Sequence, residues 1–125
     1  MPIDATLSYD DTNIFARILR DEIPSRRVYE DEWAVAFHDI APQAATHILV
    51  IPRGPFVSWD DFSARASAEE IAGFVRAVGH VAREAGLVGD GYRLLANTGG
   101  HAGQEVAHLH VHLFGGGPLG PMLAR

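Results

Sequence analysis

HLHVHLFGGG, residues 108–117, decides the reading of this chain. His108, His110 and His112 alternate with Leu109, Val111 and Leu113. A period of two belongs to an extended strand, whose successive side chains point to opposite faces. Three imidazoles then share one face, roughly 7 Å apart along the strand, while three aliphatic side chains hold them from beneath. The strand is expected over Val106–Phe114.

Three uses fit such a face. Neutral imidazoles at this spacing suit a transition metal, with His47 or His101 as a further ligand. One imidazole could instead attack an electrophilic phosphorus while its neighbours hydrogen-bond the phosphate oxygens. The third use is simply the polar side of a strand. Spacing alone leaves metal binding and catalysis open, and the flanking sequence favours catalysis. The stretch NTGGHAGQ, residues 97–104, is a loop of small residues whose backbone amides can come close to an anion. Arg93 is the nearest arginine before the motif and Arg125 the next after it, so amides and imidazoles would have to hold that anion.

Outward from the motif, Gly91–Ala96 reads as a fourth strand. Before it, Ser67 and Glu70 form a capping-box pattern, and Ile71, Phe74, Val75, Val78, Val81 and Ala82 recur at helical spacing until Gly86, which predicts one long helix. Short β-rich runs at Arg27–Tyr29, Ala34–His38 and His47–Ile51, broken by polar turns, predict a three-stranded meander. Ile14, Phe15, Ile18 and Leu19 share one face of a short helix that begins near Asn13 and cannot continue through Pro24. Strands joined by short turns, with no regular βαβ repeat, give an α+β class: a five-stranded, mainly antiparallel sheet with one short and one long helix. Residues 1–12, polar and acidic, are expected to be a flexible extension, and 13–125 a single domain.

Composition narrows the function classes. The 125 residues are 47% hydrophobic and 21% charged, a balance that fits one compact core. Sixteen acidic against ten basic residues give a net charge of −6, and every basic residue is arginine. No basic patch points to nucleic acid. The absence of cysteine excludes disulfides, thiolate metal sites and thiol catalysis. No uncharged apolar run approaches the roughly 18 residues of a membrane span, and the first ten residues lack a signal-peptide pattern. The expectation is a soluble cytoplasmic protein that binds neither nucleic acid nor membrane.

The pattern H-x-H-x-H followed by two apolar residues, here HLHVHLF, resembles the histidine triad family of nucleotide hydrolases and transferases. The likeness extends through NIFARILRDEIPSRRVYEDE, FHDIAPQAATHILVIPR and GYRLLANTGGHAGQEVAHLHVHLFGGGPLGPM, about residues 13 to 122. Together these stretches are similar to the branch that hydrolyses nucleoside phosphoramidates. The resemblance implies that His110 is the nucleophile, that His112 contacts phosphate, that His108 and His47 orient the cluster, and that Asp39 bonds the ribose hydroxyls. It places Ile14, Phe15, Ile18, Phe37, His38 and Ile40 around the base, with the His38 imidazole as a platform beside a purine. Asn97 and Gly103 would lie near the α-phosphate, and Gln104 and Val106 would supply backbone amides. Glu105 stands where some relatives carry a serine, and a carboxylate cannot donate that hydrogen bond unless protonated.

The same resemblance implies no metal and no cofactor, purine nucleoside monophosphates and their phosphoramidates as ligands, and a homodimer formed through the long helix and fourth strand, with Ile71, Phe74, Val78 and Leu94 as candidates. The leading expectation is purine nucleoside phosphoramidate hydrolysis, with aminoacyl adenylates as further substrates. A dinucleoside polyphosphate hydrolase and a nucleotide-binding adaptor are the alternatives. No role is transferred to His101. The C-terminal stretch lacks the tryptophan that some relatives use to choose substrate.

Overall fold

A computed structural model describes residues 3–124. The described elements are α1 (Ile14–Leu19), β1 (Arg27–Glu30), β2 (Ala34–His38), β3 (Thr46–Pro52), α2 (Trp59–Arg65), α3 (Ala68–Glu84), β4 (Arg93–Leu95) and β5 (Val111–Gly115). The strands make one sheet in the order β1-β2-β3-β5-β4, antiparallel at every pairing. This is the expected α+β architecture: the meander comes first, and the chain then crosses over through α2 and α3 before β4 and β5 close the sheet. No described helix is long and apolar enough to cross a membrane.

Sequence alternation splits the core between the two faces. Ala34, Ala36, Ile48, Val50, Leu109, Val111 and Leu113 join Phe74, Ala77, Val78, Val81 and Ala82 of α3 in the larger cluster. On the opposite face Val35, Phe37, Leu49 and Ile51 pack against Phe15 and Ile18 of α1. Helix α3 forms where its sequence asks for it. The Ser67 side chain accepts from the Glu70 amide, Glu70 accepts from the Ser67 amide, Glu69 and Glu70 occupy the first turn, and Arg83 occupies the last. Gly86 follows at φ 73°, a conformation that ends a helix without a Cβ penalty.

Two elements differ from expectation. Helix α2 was not anticipated. It has only Phe62 buried, so it shows no apolar period, and its Ser58–Asp61 capping box is the one local signal for it. The histidine strand is also shorter than expected: its ladder begins at Val111, where Val50 pairs with it. Continuing the register would set Pro52 opposite this segment, and proline has no amide to donate. His108 ends a bend over 106–108 and His110 lies outside the ladder just before β5, and the Leu109 amide donates instead to the Phe56 carbonyl at 2.8 Å. The alternation of faces survives without the ladder, because Leu109 remains in the α3 cluster.

Residues 3–12 form no helix or strand, as an extension would, yet they lie against the domain. The Ile3 amide donates to the Gln104 carbonyl at 3.2 Å, and Tyr9 is half-buried.

Gly73 of α3 lies directly under the Trp33 ring, and a Cβ built there would collide with Trp33 Cγ. The Trp33 backbone is held on both sides, its amide by Asp31 and its carbonyl by the Arg53 amide, so the base of the ring cannot swing clear. Alanine would raise helix propensity by about 1 kcal/mol, but overpacking of this kind costs about 1–3 kcal/mol. Gly73→Ala is expected to lower the melting temperature in a thermal unfolding experiment; an unchanged or raised value would contradict the close contact.

Candidate active site

The four histidines of the site come from β3 and from the segment that runs into β5, and a backbone group or a neighbouring ring sets the proton position on each. His110 Nδ1 lies 2.7 Å from the His108 carbonyl. A carbonyl only accepts, so the proton is on Nδ1 and the Nε2 lone pair is free. His108 Nε2 lies 2.8 Å from the Pro52 carbonyl, so Nε2 carries its proton and Nδ1 accepts. That Nδ1 is 2.6 Å from the Tyr9 hydroxyl.

His47, on β3, begins a second chain of bonds. The Gln43 amide donates to His47 Nδ1 at 3.1 Å, which places the proton of the neutral ring on Nε2. Nε2 in turn is 2.9 Å from His112 Nδ1 and 3.4 Å from Asp39 Oδ2. His112 Nδ1 therefore accepts, and its own proton sits on Nε2. The result is an unprotonated nitrogen on His110 beside an N–H donor on His112, with ring centroids 5.1 Å apart. Such a pair can attack an electrophile and hydrogen-bond the oxygens around it.

Burial keeps all four rings neutral. His108 and His112 are both pushed down to about 4, chiefly by desolvation and secondarily, at His112, by its histidine neighbours. His110 and His47 are lowered by the same cause, with Asp39 pulling weakly the other way at each. His110 is only 7% exposed, whereas His112 and Asp39 are partly open to solvent, so the site is entered from their side.

Asp39 belongs to this cluster, and its Oδ1 also accepts from the Ala41 amide at 2.8 Å. Asp39, His47 and His112 offer ligand atoms within 4.8 Å of one another. A metal there would have to displace the proton that joins His47 to His112. The apolar wall is formed by Phe15, which meets the His110 ring edge-on at 4.9 Å and Phe37 at 5.6 Å. Ile18 is buried in the same cluster, while Ile14 is 43% exposed and Ile40 98% exposed.

Two expectations need correction. The His38 side chain pairs across from Ile48 on the α3 face, where it lines a groove with Tyr29, Val81 and Glu84. Strand alternation turns its imidazole away from the triad, so it is no platform beside a base there. Gln104 is fully buried, and its amide already donates to the Gly99 carbonyl at 3.1 Å. Its side chain braces the loop, accepting from the Gly99 amide and donating to the Val57 and Val106 carbonyls. Gly103 likewise spends its amide on Gly100, at a φ of 73° that favours glycine. Asn97 is half-buried, Glu105 and His101 are exposed, and Val106 packs beside the α1 cluster.

Phe114, which carries no assignment from sequence, stacks on His112 with planes 3° apart and reaches His47 at 4.3 Å. Its position two residues after His112 was the available signal. Tyr9 had no such signal.

The HIT domain family model matches residues 20–119. The chain belongs to the HIT family. Among its HIT relatives, an uncharacterized 13.2 kDa HIT-like protein of Azospirillum brasilense is 62% identical over 94% of this chain and 97% of that protein. The purine nucleoside phosphoramidase of Escherichia coli K12 is 48% identical over 90% of this chain and 93% of its own length. A HIT family hydrolase from Clostridium thermocellum superposes with a TM-score of 0.83 at 36% identity, over 92% of this chain and 99% of that one. The HIT fold of this chain thus extends over nearly its whole length.

The lowered histidines tie stability to pH. Below the ordinary histidine value of 6.5 the unfolded chain takes up protons that the folded rings refuse, so stability falls as pH drops from about 6.5 toward the folded value of about 4. The melting temperature is expected to decline already between pH 6.5 and 5, above the range where carboxylates protonate. A flat melting temperature across that interval would contradict buried neutral imidazoles.

Proposed function

We propose that this chain hydrolyses purine nucleoside phosphoramidates through a nucleotide bound covalently to His110. The observation that carries the reading is the His110 Nδ1–H bond to the His108 carbonyl at 2.7 Å, which leaves Nε2 unprotonated. The relative from Escherichia coli named for this activity supports the substrate class.

In the first step the Nε2 lone pair of His110 attacks the α-phosphorus. A P–N bond to histidine forms, the P–N bond to the amine breaks, and the amine leaves with one proton drawn from solvent. In the second step water attacks the same phosphorus, one proton returns to solvent, and the P–N bond to His110 breaks to release the nucleoside monophosphate. Splitting the displacement lowers each barrier. The His112 Nε2–H is assigned to a phosphate oxygen, His47 to holding the His112 ring, and Asp39 to the ribose hydroxyls, where a carboxylate can accept from both. Phe15, Ile18 and Phe37 are assigned to the base. Glu105 and Val106 take the amide role in the loop, because the Gly103 and Gln104 amides are committed elsewhere.

A monophosphate fits better than a polyphosphate. Arg93, the arginine nearest the motif in sequence, donates to the Gly120 and Pro121 carbonyls and so braces the C-terminal segment.

We also assign the chain to a homodimer across β4. That strand is the edge of the sheet, and Tyr92, Leu94, Val75 and Trp59 are exposed around an apolar groove beside it. Phe74 and Val78, expected at the interface, belong to the chain's own core and also line this groove, beside its exposed residues.

Native protein is expected to release AMP from adenosine 5′-phosphoramidate after treatment with a strong chelator, while His110→Ala loses turnover by several orders of magnitude and still binds AMP. Native-like rates in the variant would end the covalent reading, and activity lost on chelation and restored by zinc would replace it with a metal-dependent one. In sedimentation, the native chain is expected near twice its 13.5 kDa mass and Leu94→Asp near 13.5 kDa; a native monomer would end the dimer assignment.

A further inference from the structure

His108 is shielded completely from solvent, so both of its ring nitrogens need protein partners. Pro52 supplies one through its carbonyl, and the other faces the Tyr9 hydroxyl at 2.6 Å. With Nε2–H committed to a carbonyl, Nδ1 only accepts, and the phenol must donate. Burial raises Tyr9 above its ordinary value, so the hydroxyl keeps its proton throughout the neutral range. The Tyr9 ring also meets His108 edge-on, with centroids 5.5 Å apart.

Tyr9 reaches this position from outside every helix and strand because its segment is tied at both ends. Toward the N-terminus, the Ile3 amide bonds the Gln104 carbonyl in the loop that leads to the histidines. Toward α1, Asp10 accepts from Thr12, and the Asn13 amide donates to the Asp10 carbonyl just before the Asn13 side chain caps the helix. The strap ends on the histidine whose own carbonyl orients His110.

We propose that Tyr9 is a positioning residue of the histidine site, holding the His108 ring through Nδ1 and thereby fixing the His108 carbonyl that sets the His110 tautomer. For its effect on turnover this rests on the function proposed above. Without the hydroxyl, His108 Nδ1 becomes a buried acceptor with no donor, which costs more than an exposed bond would. The ring can relieve that only by tilting, because a protonated Nδ1 would be a buried donor with no acceptor on a ring that burial keeps neutral. Tilting shifts the His108 carbonyl, which lies 2.7 Å from His110 Nδ1. Tyr9 thus acts through His108.

The test is Tyr9→Phe in the full chain, with Tyr9→Leu to remove the ring as well. Imidazole nitrogen NMR of Tyr9→Phe is expected to move the His108 Nδ1 resonance toward that of a free unprotonated nitrogen and to shift His110 Nδ1. With adenosine 5′-phosphoramidate, kcat is expected to fall about five- to tenfold, the loss of one hydrogen bond, at unchanged KM. Unshifted His108 and His110 resonances in Tyr9→Phe would overturn the proposal, whatever the native activity. Shifted resonances with an unchanged kcat would also overturn it, as would a Tyr9→Phe protein equal to native with only Tyr9→Leu impaired, since Tyr9 would then act by packing alone. A native protein inactive on the phosphoramidate, with the resonances still shifted in Tyr9→Phe, would remove the functional reading and leave the Tyr9–His108 coupling standing.

Discussion

A buried imidazole must satisfy two ring nitrogens without water, and the rest of this site follows from how four rings meet that demand. Each takes one bond from the main chain or from another ring already fixed by it: His110 to the His108 carbonyl, His108 to the Pro52 carbonyl, His47 to the Gln43 amide, and His112 to His47. Carbonyls and amides do not titrate and do not rotate, so they impose one tautomer on each ring. Desolvation then keeps the rings neutral, since charging any of them would bring a cation into a low-dielectric site beside other imidazoles. An unprotonated nitrogen and a donor nitrogen stand side by side as the outcome of backbone placement.

The sheet makes that placement possible. Leu109, Val111 and Leu113 are held in the α3 cluster, and the alternation they impose presents the histidines to the α1 face. Proline at position 52 ends the ladder where the first two histidines begin, which frees a carbonyl for His108 rather than for a strand partner. The same alternation places Asp39 and His47 on the site face and sends His38 to the other. Chemistry and core thus share one set of strands, divided by the period of two.

Much of this was legible in the chain. The triad's alternation, the caps of α1 and α3 and the three-stranded meander are local patterns, each written within a few consecutive residues. Helix α2 escaped because one buried phenylalanine makes no period. His38 was misplaced because adjacency in sequence to Phe37 and Asp39 means opposite faces on a strand. Gln104 reads as a phosphate-loop residue, yet its side chain and amide are consumed in bracing the loop, a fact that depends on where Gly99 and Val57 lie. Tyr9 lay in a stretch with neither apolar period nor cap to mark it as part of anything.

What the sequence determined by itself is the fold class, the face on which the histidines lie and the family they mark, because periodicity, capping and motif spacing are properties of neighbours along the chain. What only the tertiary structure decided is which nitrogen of His108 and of His112 carries the proton. Their partners, Pro52 and Tyr9 for His108 and His47 for His112, are 56, 99 and 65 residues away in sequence. A hydrogen bond needs positions within a few tenths of an ångström, and no local pattern encodes distances between segments that meet only when the sheet has closed.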